Sequence, residues 1–181
     1  MAALTITQFQ AFAGPRVQGT YLGKILQLAS NGAFNKKKTS FTSAVGPTAA
    51  YGMDLVYAEV RELAASGTHA YDLTALADMA GVTRSFARIK YMWLFLPGTD
   101  DNAGISVQND FITLGGNASN GHSMWLAAVN DKYKVKAGNY VEVADFSAAG
   151  EVVSSTVKAF DVIATSGNTA TYALVIGGCL S

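Results

Sequence analysis

Phe86-Ala-Arg-Ile-Lys-Tyr-Met-Trp-Leu-Phe-Leu96 is the most hydrophobic stretch of the chain and reads as a central β-strand. At a period of two, Ile89, Tyr91, Trp93 and Phe95 share one face. Met92, Leu94 and Leu96 share the other with Arg88 and Lys90. A strand apolar on both faces lies deep in a sandwich or at a subunit contact. Pro97-Gly98 ends it. Thr169-Ala-Thr-Tyr-Ala-Leu-Val-Ile-Gly177 reads as a second, closing strand.

The same signals extend outward from these two strands. Val56-Tyr-Ala-Glu-Val-Arg-Glu-Leu63 alternates Val56, Ala58, Val60 and Glu62 against Tyr57, Glu59, Arg61 and Leu63. A helix from Gly52 to Ala65 competes, since Glu, Arg, Leu and Ala favour helix. The alternation decides for a strand. Ser66-Gly67 turns the chain into a short strand over His69–Ala75. Leu76–Ser85 reads as a loop or a short helical turn ending at Gly81. Ile105–Gln108, Phe111–Leu114, Met124–Val129, Tyr133–Lys136, Tyr140–Phe146 and Lys158–Ala164 follow as short apolar or alternating runs. Between them lie Gly115-Gly116-Asn117, Ala137-Gly-Asn139 and Ser166-Gly-Asn168. Roughly eight to ten short strands at this spacing predict an all-β fold, a single jelly-roll-like or Greek-key β-sandwich. No repeat of 20–50 residues is visible, which argues against a solenoid or propeller.

Residues 1–50 differ from the rest. Gly14-Pro15, Gly19, Gly23, Gly32 and Gly46-Pro47 punctuate them, and Lys36-Lys37-Lys38 is the chain's charge run. Thr20–Ala29 has helical spacing, with Leu22, Ile25, Leu26 and Ala29 on one face, but is short for an isolated helix. The region reads as an extended N-terminal arm, 1–50, ahead of a sandwich domain, 51–181. An ordinary N-terminal strand and loop of the same sandwich is the alternative.

Charged residues make up only 14% of the 181, below the roughly 25% of an average soluble domain. Thirteen basic and thirteen acidic side chains cancel. A neutral surface poor in charge suits self-contact or a partner more than a solitary monomer. Phosphate binding needs positive potential, so nucleic acid is not an expected partner. The single cysteine, Cys179, near the end of a strand-like run, is expected to be a small buried hydrophobe. No apolar run approaches the ~18 residues of a membrane span. The start Met1-Ala-Ala-Leu-Thr-Ile-Thr-Gln-Phe9 lacks the basic region of a signal peptide, so synthesis in a cytoplasm is expected.

Catalytic constellations find little support. His69 and His122 are the two histidines, in no H-x-x-x-H or H-x-H pairing, and read as solvated or turn residues. Asp100-Asp101-Asn102 lacks the spacing and closing Glu of a calcium loop. Gly115-Gly116-Asn117 opens no helix and lacks G-x-G-x-x-G spacing. There is no G-x-S-x-G elbow, and no carboxylate pair stands out. No enzyme activity, metal, cofactor or small-molecule ligand is expected. Trp125, Tyr133 and Tyr140 read as core or interface packing, or as a platform for stacking sugars.

Several pieces carry a resemblance. Arg61-Glu-Leu-Ala-Ala-Ser66 is followed by Asp72-Leu, Leu76-Ala-Asp78, Gly81 and Phe86-Ala-Arg-Ile-Lys90. Leu114-Gly-Gly-Asn-Ala-Ser-Asn120, Val135-Lys-Ala-Gly138, Ala148-Ala-Gly150 and Thr171-Tyr-Ala-Leu-Val-Ile-Gly177 come next. This order resembles a family of small virion structural proteins of tailed bacteriophages and prophages, over about residues 56–178. It departs from the family at Ala137-Gly138-Asn139, where Gly-Gly is typical. The resemblance implies a virion protein without fixing its station, and it transfers no functional residue.

A compact β-domain with a locally basic arm suits a head decoration or cement protein on the capsid's outer surface, a homotrimer bridging copies of the major capsid protein. The expected arm contacts are Phe9, Phe12, Arg16, Tyr21, Phe34, Lys36, Lys37, Lys38 and Phe41, and the expected self-association residues are Arg88, Lys90 and Met92. The alternative station is a head-fibre, baseplate or tail-fibre tip binding a host glycan through Trp125, Tyr133, Tyr140 and loop 98–104.

Overall fold

In the computed structural model the chain is all-β, as expected, and the described residues contain no helix. The structure describes the backbone of residues 5–12, 14–21, 24–28 and 39–41. It describes backbone and side chains of 53, 55–77, 82–99, 108–117, 119–145, 150–165 and 167–180. The N-terminal strands are β1 (Thr5–Phe12), β2 (Gly14–Tyr21), β3 (Lys24–Leu28) and β4 (Thr39–Phe41). There follow β5 (Leu55–Leu63), β6 (Thr68–Asp72), β7 (Leu76–Ala77), β8 (Thr83–Arg84), β9 (Phe86–Leu96) and β10 (Phe111–Leu114). The last five are β11 (Tyr133–Lys136), β12 (Asn139–Ala144), β13 (Glu151–Val152), β14 (Ala159–Ala164) and β15 (Ala170–Leu180).

Two antiparallel sheets form the sandwich, ordered β12-β9-β15-β5 and β11-β10-β14-β6, with β13 beside β9. Leaving out the short β7, β8 and β13, the strands from β5 onward can be counted one to eight. The sheets then run 6-3-8-1 and 5-4-7-2, the winding of a jelly-roll-like sandwich. The inner faces interdigitate Met92, Leu94 and Leu96 of β9 with Tyr172, Leu174 and Ile176 of β15. Opposite them lie Ile112 and Leu114 of β10 and Phe160 and Val162 of β14. Each of these is fully buried. Burial of this kind stabilises by about 1.5–3 kcal/mol per large side chain.

The central strand departs from strict alternation. Tyr91 stands opposite Gly177 but Ile89 opposite Gly178, so Lys90 is the extra residue of a bulge. Arg88 faces Cys179 and Phe86 faces Leu180, so Ala87 is a second extra residue. The first bulge turns Ile89 onto the inner face with Met92, not onto the face of Tyr91, and the second restores the alternation so that Phe86 also points inward. A β-carbon at Gly178 would lie 2.1 Å from the Arg88 carbonyl oxygen, so only glycine fits there. On the outer face Tyr91, Trp93, Val56, Val175 and Met53 form a second buried cluster. The next row on that face runs Val60, Ala173, Phe95 and Tyr140 across four strands. Val60 is 70% exposed and Tyr140 40%.

Other expectations need correction. Within Thr20–Ala29 the described residues are strand, not helix: the end of β2 pairs with β3, Thr20 opposite Ile25. The N-terminal strands pair in a sheet of their own, β3-β2-β1-β4. Leu76–Ser85 contains the paired strands β7 and β8, and Gly81 lies outside the described residues. Met124–Val129 is a series of turns, with Met124 and Trp125 left-handed at φ 52° and 62°. Of Ile105–Gln108 only Gln108 is described, and it belongs to no strand. Its buried amide bridges the Pro97 and Thr171 backbones.

Candidate functional site

β5 and β6 are edge strands of opposite sheets, joined by a tight turn in which Ser66 is left-handed at φ 57°. Tyr57, Glu59 and Arg61 share the face of β5 that carries Leu55 and Leu63 into the core. Tyr71 comes from β6 and Tyr172 from β15. The Tyr71 phenol donates to Glu59 Oε1 and lies 2.6 Å from the Tyr172 phenol. With its one proton committed to Glu59, Tyr71 accepts from Tyr172, so a relay runs Tyr172 to Tyr71 to Glu59. Tyr57 also hydrogen-bonds Glu59. Arg61 Nη1 lies 3.7 Å from Glu59 Oε2 at the exposed end of the cluster.

Burial dominates the electrostatics of this edge. Desolvation, reinforced by Glu59, raises Tyr57 and Tyr71 above the ordinary phenol range. Tyr172 is pushed up to about 12, again chiefly by burial. All three phenols therefore stay protonated donors at neutral pH, suited to hold a carboxylate and unsuited to act as bases. His69 packs edge-on against Tyr71 at 4.4 Å between ring centroids. Its pKa is lowered by burial first and by Arg61 second. Tyr71 also stacks on Phe160 at 4.9 Å. The cluster ties the two sheets together and presents Glu59 and Arg61 at the rim.

A second unusual region is the loop before β11. Asn120, Met124 and Trp125 are all left-handed without being glycine. His122 is not solvated: it is fully buried, and its Nδ1 accepts the Met124 N–H at 3.0 Å. Nε2 has no partner within hydrogen-bond geometry. Burial lowers its pKa to about 4, an effect the Val152 backbone opposes only in part. Ser123 hydroxyl to Glu151 (3.3 Å) and Tyr133 hydroxyl to the Met124 carbonyl (3.0 Å) brace the loop. No group of three or more metal-ligating side chains occurs among the described residues.

The predicted residues scatter. Phe9, Phe12, Arg16, Tyr21 and Phe41 fall on β1, β2 and β4, whose side chains lie outside the described residues. Phe34, Lys36, Lys37 and Lys38 lie outside them altogether, as do residues 100–107. Lys90 and Met92 are fully buried within their own chain and offer no surface to a second copy, while Arg88 is half-buried. Cys179 is buried, as expected. Trp125 and Tyr133 meet at Met124, but Tyr140 stands on the outer face of the other sheet. The three form no common platform. The phenol–carboxylate cluster escaped the sequence reading because its members are dispersed from Tyr57 to Tyr172. The one available signal was the polar inner stripe of β5, Glu59 and Arg61.

No family model matches the chain, and no curated protein matches it. Among solved structures it is similar to the Yersinia pseudotuberculosis-derived mitogen, at 12% identity and a TM-score of 0.34. That match covers 68% of this chain and 86% of the mitogen. It is also similar to a protein of Bacillus endospore appendages, a family of disulfide-linked pili, at 9% identity and a TM-score of 0.30. The second match covers 72% of this chain and 95% of that one. Likenesses this distant carry no argument about function.

Proposed function

We propose that the chain is a structural protein of a tailed-phage virion: a homotrimeric decoration protein on the outer capsid surface that bridges neighbouring major capsid proteins and catalyses no reaction. The observation that supports this reading most is where the family-like residues fall. Phe86, Ile89 and Lys90 are buried in the central strand. Gly115, Gly116, Gly138 and Gly150 occupy left-handed turns, and Tyr172 joins the cross-sheet relay. Asp72 closes β6 by accepting from Thr74 and Lys158. These residues serve the packing and turns of the sandwich, as an assembly role requires.

Jelly-roll-like sandwiches serve both capsid and lectin domains, so architecture alone does not separate the head station from a glycan-binding tip. The separation of Tyr140 from Trp125 and Tyr133 favours the head. The test is co-sedimentation of the full-length protein with shells assembled from the major capsid protein of its phage. Saturable binding is expected, weakened by the triple variant K36E/K37E/K38E. Binding to glycan arrays with none to shells would move the protein to a fibre or tail tip.

A further inference from the structure

β5 ends its sheet: β15 pairs with one side of it from Leu55 to Leu63 without a register shift, and among the described residues no strand pairs with the other. Nine residues make a long edge, and this one has no proline and no bulge. Such an edge leaves alternate N–H and C=O groups open to a further strand. At its middle, Val60 is the most exposed large hydrophobic residue of the described chain, at 70%. Glu59 and Arg61 flank it on the opposite face, at 20% and 42% side-chain exposure.

We propose that β5 is a self-recognition edge that pairs antiparallel with β5 of a second copy about a two-fold axis at Val60. Setting Val60 opposite the second copy's Val60 places Glu59 opposite the second copy's Arg61, and Arg61 opposite its Glu59. Ala58 then faces the second copy's Glu62, and Tyr57 its Leu63. Both inner faces stay inward, because the pairing preserves the strand's alternation. The outer row Tyr140, Phe95, Ala173 and Val60 continues without a break into its symmetry copy. Electrostatics selects this register. Moving the axis to Glu59 opposes two carboxylates, and moving it to Arg61 opposes two guanidinium groups; like charges directly opposite are destabilising. The charges that guard the edge against indiscriminate pairing are self-complementary in one arrangement. The contact does not depend on the virion reading. It joins copies in pairs, and in a coat of trimers it ties neighbouring trimers together.

Cysteine cross-linking of the full-length protein in solution tests the register. V60C is expected to form a disulfide-linked dimer under mild oxidation, because its two copies sit face to face. E62C is expected to remain uncross-linked, as does the wild type with its buried Cys179. Residue 62 lies opposite Ala58 of the second copy, about 13 Å along the strand from its own symmetry mate. Adding R61E to V60C places carboxylates opposite each other and should lower the yield of linked dimer roughly tenfold. Absence of a V60C dimer at the highest soluble concentration, equal cross-linking of E62C, or an unchanged yield with R61E overturns the proposal. Val60, Arg61 and Glu62 are exposed, and the rim ion pair with Glu59 that R61E removes contributes little, so none of these changes endangers folding.

Discussion

His122 should make the fold acid-sensitive in a defined window. In the unfolded chain the imidazole takes up a proton near 6.5, whereas in the fold it resists protonation down to about 4. Between these values the unfolded state binds more protons, so stability falls as pH drops through 6.5 and goes on falling to about 4. The full difference corresponds to about 3 kcal/mol, of which about 2 kcal/mol has been lost by pH 5. The perturbation is His122→Asn, which keeps an acceptor for the Met124 N–H and removes the titration. The smaller side chain destabilises at every pH alike. His69 is shifted in the same direction and stays in both proteins, so the difference between them isolates His122. Urea unfolding at a series of pH values is the assay. Between pH 7 and pH 5 the wild type should lose about 2 kcal/mol more than the variant. Parallel curves for the two proteins would show that His122 is not held neutral and would refute the reasoning.

The remaining predictions concern the scaffold. Tyr71→Phe leaves Glu59 short of a donor and Tyr172 without its acceptor; it should cost about 2–3 kcal/mol in chemical denaturation, and Tyr172→Phe only about 1 kcal/mol. The reverse order would contradict the relay's direction. Gly178→Ala drives a β-carbon to within 2.1 Å of a backbone oxygen and should cost about 3 kcal/mol or more, or prevent folding. Gly177→Ala meets only the flexible Met53 sulfur at 2.8 Å and should cost under about 1.5 kcal/mol. Asp72 is desolvated, but hydrogen bonds from Lys158 and Thr74 outweigh this and hold its pKa below the ordinary value. Asp72→Ala should therefore cost about 1 kcal/mol at neutral pH, measured by thermal melting. That cost should shrink as pH falls through the wild-type residue's depressed pKa, where the carboxylate's contribution is lost.

The sandwich strands were legible because period-2 alternation and Gly/Asn turns are local properties of the chain. β9 and β5 stand within a residue of where Phe86–Leu96 and Val56–Leu63 place them, while β15 starts one residue after Thr169 and runs three residues past Gly177. What alternation cannot carry is a bulge. Lys90 looks like any other residue of the run until Gly177 takes Tyr91 and Gly178 takes Ile89 as its opposite, which leaves Lys90 as the extra residue and changes the face of Ile89. The helical spacing of Thr20–Ala29 misled for a related reason: Gly23 interrupts it, and pairing of β3 with β2 stabilises strand over a short helix. His122 was misread because its burial depends on a left-handed loop that apolar periodicity does not encode. The relay was out of reach, since Glu59, Tyr71 and Tyr172 meet only once both sheets are formed. Gln108 and Asn109 are a similar case. Gln108 reads as the end of a short strand and Asn109 carries no signal, yet both are buried, with amides that join Pro97, Thr165, Asn168 and Thr171.

The central claim is that this protein reinforces a capsid. The direct measurement is the temperature at which purified shells release their contents or fall apart, with and without saturating full-length protein. The account predicts a rise that saturates at a fixed number of copies per shell and is diminished in K36E/K37E/K38E. Shells that break at the same temperature with the protein bound, or that never bind it, would contradict the claim.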